Sequence, residues 1–258
     1  MSDLLWKPNK DTYSNSAIKS FSDIIANNYG INFDEYQDLW QWSIKEPEKF
    51  WLTLLQSLSI CYSGKIDPVI TNDELIYDQK FFPNINLNYA ENIILNLNST
   101  PIIFINEKGF RQEISRQEII TKVSRLSSYL RLIGIRKGDR IAAISANTPN
   151  TLISFLAVNS IGAVWSSCSP DFGINSVIDR FSQIKPKRIL EIGTYEGAST
   201  CYLIQKLAQE NSIEIHCIDA WNIEMGDDTD YKHYGSNVDM SAVESRFRQN
   251  TKLAIEKV

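Results

Sequence analysis

Residues 188–200 place several groups where chemistry could be done. They read Arg188-Ile189-Leu190-Glu191-Ile192-Gly193-Thr194-Tyr195-Glu196-Gly197-Ala198-Ser199-Thr200, an apolar strand, a turn of the form E-x-G-x-x-x-G and the start of a helix. A second apolar strand ends at Asp219, 26 residues beyond Gly193. Gly193 permits a sharp turn, and its missing Cβ lets a ligand approach the backbone. A carboxylate at the end of the second strand, Asp219, can accept from both hydroxyls of a ribose. Ser199 lies just inside the helix and is placed to help cap it. A dinucleotide site wants G-x-G-x-x-G, and position 195 is Tyr. Glu191 and Glu196 would also repel a pyrophosphate. A cationic nucleoside ligand and a purely structural turn remain as readings beside it.

Other chemistries find little material. The only histidines are His216 and His233, so no His-rich metal site is expected. His216 falls inside a strand and reads as a core residue; His233 is the one loop histidine available for acid–base work. Cys61, Cys168, Cys201 and Cys217 show no CxxC spacing and read as reduced thiols of a cytoplasmic protein. Eleven glycines in 258 residues are about 4%, where roughly 7% is usual, which disfavours a chain built on several glycine phosphate loops.

The elements that must position these residues alternate. Residues 15–60 read as helices in pieces, with Phe21, Ile24 and Ile25 on one face, and Pro47 in the first turn of a piece carrying Phe50, Trp51, Leu54 and Leu55. Residues 61–85 read as mixed loop, and 87–97 as helix. Strands are expected at 101–106, 140–145, 163–168, 188–192 and 213–218. Helices are expected between them at 116–133, 148–161, 175–184 and 198–209. Gly134 suits the end of one helix and Pro149 the start of the next. A last helix from about Met240 has Ser241 and Glu244 at capping-box spacing. The fold class is therefore α/β: a partial doubly wound, Rossmann-like parallel sheet preceded by a helical segment.

Composition closes other classes. Met1 to Lys10 is polar and charged, so no signal peptide is expected. The longest apolar stretch, 152–165, is too short to span a bilayer and reads as buried. A net charge of −5 without a basic stripe excludes nucleic acid as a partner. That charge is uneven: residues 188–258 hold 12 acidic and 7 basic residues, and 1–187 balance. No linker marks the change.

Several local sequences resemble a known family. They are Asp38-Leu39-Trp40-Gln41-Trp42-Ser43, Phe50-Trp51, Leu87-Asn88-Tyr89-Ala90-Glu91-Asn92, Gly138-Asp139-Arg140 and Asn147-Thr148-Pro149-Asn150. The run Gly162-Ala163-Val164-Trp165-Ser166-Ser167-Cys168-Ser169-Pro170-Asp171-Phe172-Gly173 follows, with Val177-Ile178-Asp179-Arg180-Phe181 and Gln183-Ile184-Lys185-Pro186-Lys187. Together they resemble the N-terminal part of acetoacetate–CoA ligases, acyl-adenylate-forming enzymes, over about residues 4–187. The resemblance implies ATP-dependent activation of a short acid and transfer to CoA. It implies that Ser169, Pro170 and Asp171 border a CoA tunnel; a rigid strand-to-helix turn is the plainer reading of the same residues. Trp40, Trp42 and Trp51 read as packing aromatics. No segment of the S-G-T-T-G-x-P-K type that holds ATP phosphates in that family occurs in the sequence. An absent ATP site, and with it an inactive fusion, is the expectation.

Residues from about 186 to 258 resemble the N-terminal βαβ part of class I methyltransferases, with the motif itself in 188–219. That resemblance implies S-adenosylmethionine (SAM) held by Glu191, Gly193, Thr194, Gly197, Ser199 and Asp219, with Glu191 facing the amino-acid end of the cofactor. The domains read as 1–98 (helical), 99–187 (first α/β portion) and 188–258 (SAM-binding βαβ unit). The strand 188–192 is expected to continue the parallel sheet beside the strand at 163–168. Expected partners are a small-molecule ligand and a second copy through incomplete sheets, with no membrane and no metal.

Overall fold

Short polar caps and prolines start the helices of the first part of the chain in this computed structural model, which describes residues 6–71, 75, 77–97, 101–107, 109–192, 197–207, 213–218 and 239–256. The Asn9 side chain accepts from the Thr12 N–H at the start of α1 (Lys10–Ser14), and Ser16 accepts from Lys19 at α2 (Ala17–Tyr29). Glu35 and Asp38 form a reciprocal capping box on α3 (Tyr36–Lys45), and Pro47 opens α4 (Pro47–Ser57), where its missing N–H costs nothing. Ile25, Leu39 and Trp42 are buried together, with Phe21, Phe33 and Phe50 against them. The Trp42 ring lies 5.8 Å from Phe33 and 5.9 Å from Tyr29 between centroids. Trp42 is thus a packing residue, whereas Trp40 is exposed. The stretch read as loop holds a two-residue pairing, β1 (Ser63–Gly64) with β2 (Ile85–Asn86). Gly64 is required there: its φ is +105°, and a Cβ would meet the Asn84 carbonyl oxygen at 2.1 Å.

These elements form one compact unit, Met1–Leu87; Asn88–Val258 forms another. The second opens with α5 (Tyr89–Asn96), whose cap Asn88 accepts from the Glu91 N–H. The strand expected at 101–106 exists as β3 (Ile102–Ile105), but it pairs antiparallel with β4 (Arg111–Ile114) in a separate hairpin and not in the parallel sheet. The alternating elements follow: α6 (Arg116–Leu132), β5 (Arg140–Ile144), α7 (Pro149–Ser160), β6 (Val164–Cys168), α8 (Ile174–Ile184), β7 (Arg188–Ile192), α9 (Ala198–Leu207), β8 (Glu214–Ile218) and α10 (Met240–Ile255). The main sheet is parallel, in the order β6-β5-β7-β8.

That order corrects one expectation. β7 lies on the far side of β5, with Ala142 opposite Ile189, and not beside β6. The reason is handedness. α7 packs with Ile141 on one face of the sheet, while α8 packs with Ala142, Ile144 and Ile189 on the other. Right-handed crossovers on opposite faces must advance in opposite directions, so the chain returns across β5. The strand 188–192 does continue the sheet, one position away from where it was expected.

α10 begins where expected, but its cap is Asp239, which accepts from the Ser241 and Ala242 N–H groups, and not Ser241. The stretch 152–165, expected to be buried, is so only in part: Leu156, Ala157 and Val158 are almost fully enclosed, whereas Val164 is about half exposed. Among the described residues no helix is long and apolar enough to cross a membrane, and no cluster of His, Cys, Asp and Glu is arranged to hold a metal.

Candidate functional site

A doubly wound sheet opens a crevice at the carboxyl ends of the two strands between which the chain reverses direction. Here those strands are β5 and β7. β5 ends at Ile144 and β7 at Ile192. A cavity of about 50 Å³ lies at this end, walled by Ile144, by Ser169, Pro170 and Phe172 after β6, and by Ser199 and Tyr202 of α9. The structure thus brings together residues from two of the candidate groups, Ser169–Asp171 and Ser199.

The Ser169 turn is held from within. Ser169 Oγ donates to Asp171 Oδ2 at 3.1 Å, and the Phe172 N–H donates to the Ser169 carbonyl at 3.1 Å. The Arg180 guanidinium sits 5.2 Å from the Phe172 ring centroid and fixes the turn against α8. Tyr202 Oη donates to Asn175 Oδ1 at 3.4 Å, tying α9 to the start of α8. These contacts fit a rigid strand-to-helix turn, and the same turn leaves Ser169 and Pro170 in the cavity wall.

Glu191 is buried, with 1% of its surface exposed. The hydroxyls of Ser199 and Thr200 both donate to its carboxylate. Cys217 Sγ of β8 lies 3.7 Å from Glu191 Oε2. Burial, joined by the Glu191 carboxylate, pushes the Cys217 thiol up to about 12, although the Thr200 hydroxyl pulls the other way. Burial and the same carboxylate raise Cys201. Glu191 is therefore a strap between the end of β7 and the start of α9, with the chain's own hydroxyls on its oxygens. Ser199 serves that strap rather than a helix cap. Gly197 is explained by packing: its φ is +82°, and a Cβ would meet the Phe247 ring of α10 at 2.7 Å. Gly193, Thr194, Asp219 and His233 lie outside the described residues.

Sequence reasoning missed Ile144, Phe172 and Tyr202. Each is unremarkable in type, and only the strand order shows that they face one crevice. His216 was read as core, but it stands half-buried at the edge of an ion pair, with Nε2 3.2 Å from Arg188 Nε and 3.4 Å from Glu214 Oε2.

A family model described as AMP-binding enzyme matches residues 98–247, more than half of the chain. The chain belongs to the AMP-binding enzyme family. A model described as the acetyl-coenzyme A synthetase N-terminus matches residues 36–93. Among curated proteins, the acetoacetyl-coenzyme A synthetase of Rhizobium meliloti is 35% identical over 192 residues, 74% of this chain and 29% of the relative. The acetoacetyl-CoA synthetase of Xenopus tropicalis is 34% identical over 206 residues, 78% of this chain and 30% of the relative. The chain thus spans about 30% of the length of these relatives. Among solved structures, the acetoacetyl-CoA synthetase from Streptomyces lividans superposes with a TM-score of 0.74 at 26% identity, over 83% of this chain and 35% of that one.

The AMP-binding match runs on through 188–247, past the change in charge balance. Nothing in these matches supports a methyltransferase part there. Nor do they support the expectation of an absent ATP site, since the family matched is that of AMP-binding enzymes.

Proposed function

We propose that this chain is the ligand-holding portion of an acyl-CoA-forming ligase of the acetoacetyl-CoA synthetase kind. Such a ligase joins a short carboxylic acid to AMP at the expense of ATP, then passes the acyl group to the thiol of CoA. The single observation behind the assignment of residues is the Ser169–Pro170–Phe172 wall of the crevice at the β5/β7 switch point. In this reading Ser169 and Pro170 guide the slender end of CoA along the wall, and Tyr202 and Ile144 close its floor. The charged and hydroxyl groups of Glu191, Ser199 and Thr200 hold the wall in place and do not touch the reacting atoms.

Titration calorimetry of the full chain tests this, with CoA, ATP, acetoacetate and SAM as separate ligands. CoA binding is expected, weakened about tenfold by Ser169→Trp, which fills the crevice. Absence of binding by CoA, ATP and acetoacetate alike would overturn the assignment. Binding of SAM alone, lost in Asp219→Ala, would replace it with a SAM-binding module.

A further inference from the structure

The amino ends of β5 and β7 lie opposite the crevice, and the connections there collect positive charge. α6 ends in Arg131 and Leu132, and the connection to β5 carries Arg136, Lys137 and Asp139, with Arg140 as the first strand residue. The connection from α8 to β7 carries Lys185 and Lys187. β5 and β7 pair side by side and parallel, so both connections meet at one end of the sheet. The Lys187 N–H donates to the Arg140 carbonyl at 2.8 Å. Lys187 Nζ donates to Asp139 Oδ2 at 2.7 Å, across 48 residues of sequence, and to the Gly134 carbonyl at 3.2 Å. The Lys137 side chain lies over Gly162, just before β6.

Six exposed cations thus stand together with one carboxylate, in a chain whose net charge is −5. Asp139 is taken by Lys187 and leaves the other five charges uncompensated within these segments. Arg136 Nη1 donates to the Arg131 and Ile135 carbonyls, which fixes the loop without neutralising it. Leu132, beside Arg131, is 83% exposed. A partner that complements this corner is anionic at its surface and apolar just beneath. A nucleic-acid backbone matches the charges but offers Leu132 nothing apolar. An anionic bilayer offers both: headgroups that attract each Lys and Arg, and acyl chains for the leucine.

We propose that the amino end of the β5–β7 sheet docks on anionic phospholipid, with the six cations over the headgroups and Leu132 inserted between them. The contact is peripheral, since no described helix is long and apolar enough to span. The expectation of no membrane partner rested on the want of a spanning stretch, which says nothing of a patch assembled from two segments. This goes beyond the ligase reading and does not depend on it. The crevice lies at the other end of the same strands and on other residues.

Co-sedimentation of the full chain with vesicles tests the proposal, using phosphatidylcholine alone and phosphatidylcholine mixed with phosphatidylserine. Binding is expected only to the mixed vesicles, and is expected to fade as salt is raised. The triple variant Lys137→Gln, Arg140→Gln, Lys185→Gln spares the Lys187–Asp139 pair and is expected to weaken binding on the order of a hundredfold. Leu132→Ser is expected to weaken it about tenfold and to leave the salt dependence in place. No binding to the mixed vesicles, equal binding to phosphatidylcholine alone, or either folded variant binding like the unaltered chain would overturn the proposal. So would duplex DNA bound as tightly at the same salt and insensitive to Leu132→Ser, which would make the patch a nucleic-acid surface. If the triple variant does not fold, the comparison of the two vesicles and Leu132→Ser decide. CoA titrated into the triple variant is expected to behave as in the unaltered chain, so failure here is distinct from failure at the crevice.

Discussion

Glu191 shows how a residue type can point to a ligand and serve the fold. A carboxylate at the end of a strand, just before a glycine turn, reads as a hook for a cofactor. In the structure its oxygens are taken by Ser199 and Thr200, in the first turn of α9. Removing one of those donors while keeping its shape should expose the cost. Thr200→Val is expected to lower stability by about 1–3 kcal/mol, read from the denaturant midpoint, because it leaves a buried carboxylate short of a partner. An unchanged midpoint would mean that the strap carries nothing. Cys217 reports on the same cluster. With its thiol pushed up to about 12, it holds almost no thiolate at pH 8. Alkylation there is expected to be far slower in the folded chain than in urea, and to quicken only in strongly alkaline solution. The sign for stability follows: a raised pKa gives stability that is full below the unfolded thiol's pKa and is lost as pH rises through the folded one. Glu191, Gly197 and Ser199 could be named from spacing, but spacing cannot say that their partners are hydroxyls, a phenyl ring and a carboxylate of the same chain.

At the level of elements, helix starts and stops were legible because they rest on local chemistry. Pro47 and Pro149 open helices, and Gly134 follows one with φ +86°. What could not be read was any feature whose own residues carry no distinguishing signal. The hairpin of β3 and β4 is an example, since Arg111–Ile114 carries three polar residues in four and no apolar run. The Asp239 cap was missed because Ser241 sits two residues on with an equally good spacing. Two predictions belong here. Gly197→Ala forces a Cβ to within 2.7 Å of Phe247 at a positive φ, so the Phe247 ring that packs α10 there must shift. A loss of about 1–3 kcal/mol is expected, with selective loss of amide protection in α10. Asp139, in the turn before β5, accepts from Lys187 Nζ at 2.7 Å and from the Arg136 N–H at 2.8 Å. Burial alone would raise its carboxyl, but the Lys187 and Arg136 hydrogen bonds and the charges of Lys187 and Arg188 outweigh that and hold it below the usual range. Its stabilisation is present above the unfolded carboxyl's pKa and is lost as pH falls through the depressed folded value. Asp139→Asn is expected to cost about 0.5–1 kcal/mol at neutral pH, since the pair is partly exposed, and to flatten the acid limb of the stability curve.

At the scale of the whole second unit, strand order decides where a ligand can sit, and it is the part of the fold least visible in sequence. Alternating apolar runs give five candidate strands but no order. Handedness gives the order only once each crossover helix is assigned to a face, and that follows from which side chains of β5 each helix covers. Ile141 faces α7 and its neighbours Ala142 and Ile144 face α8. β5 and β7 are therefore the inner strands, and β6 and β8 the outer ones among the described residues. Inner strands have their amides paired on both sides, whereas alternate amides of an outer strand point away from the sheet. Native-state hydrogen exchange is expected to follow this order. Ala142, Ala143, Ile189 and Leu190 should exchange slowly and together, near the global unfolding limit. Alternate amides of β6, where Val164 is about half exposed, should exchange on the order of a hundredfold faster. Uniform slow exchange along β6 would place another strand or partner against it. Fast exchange in β7 would instead detach residues 188–192 from β5, and with them the switch point on which the crevice depends.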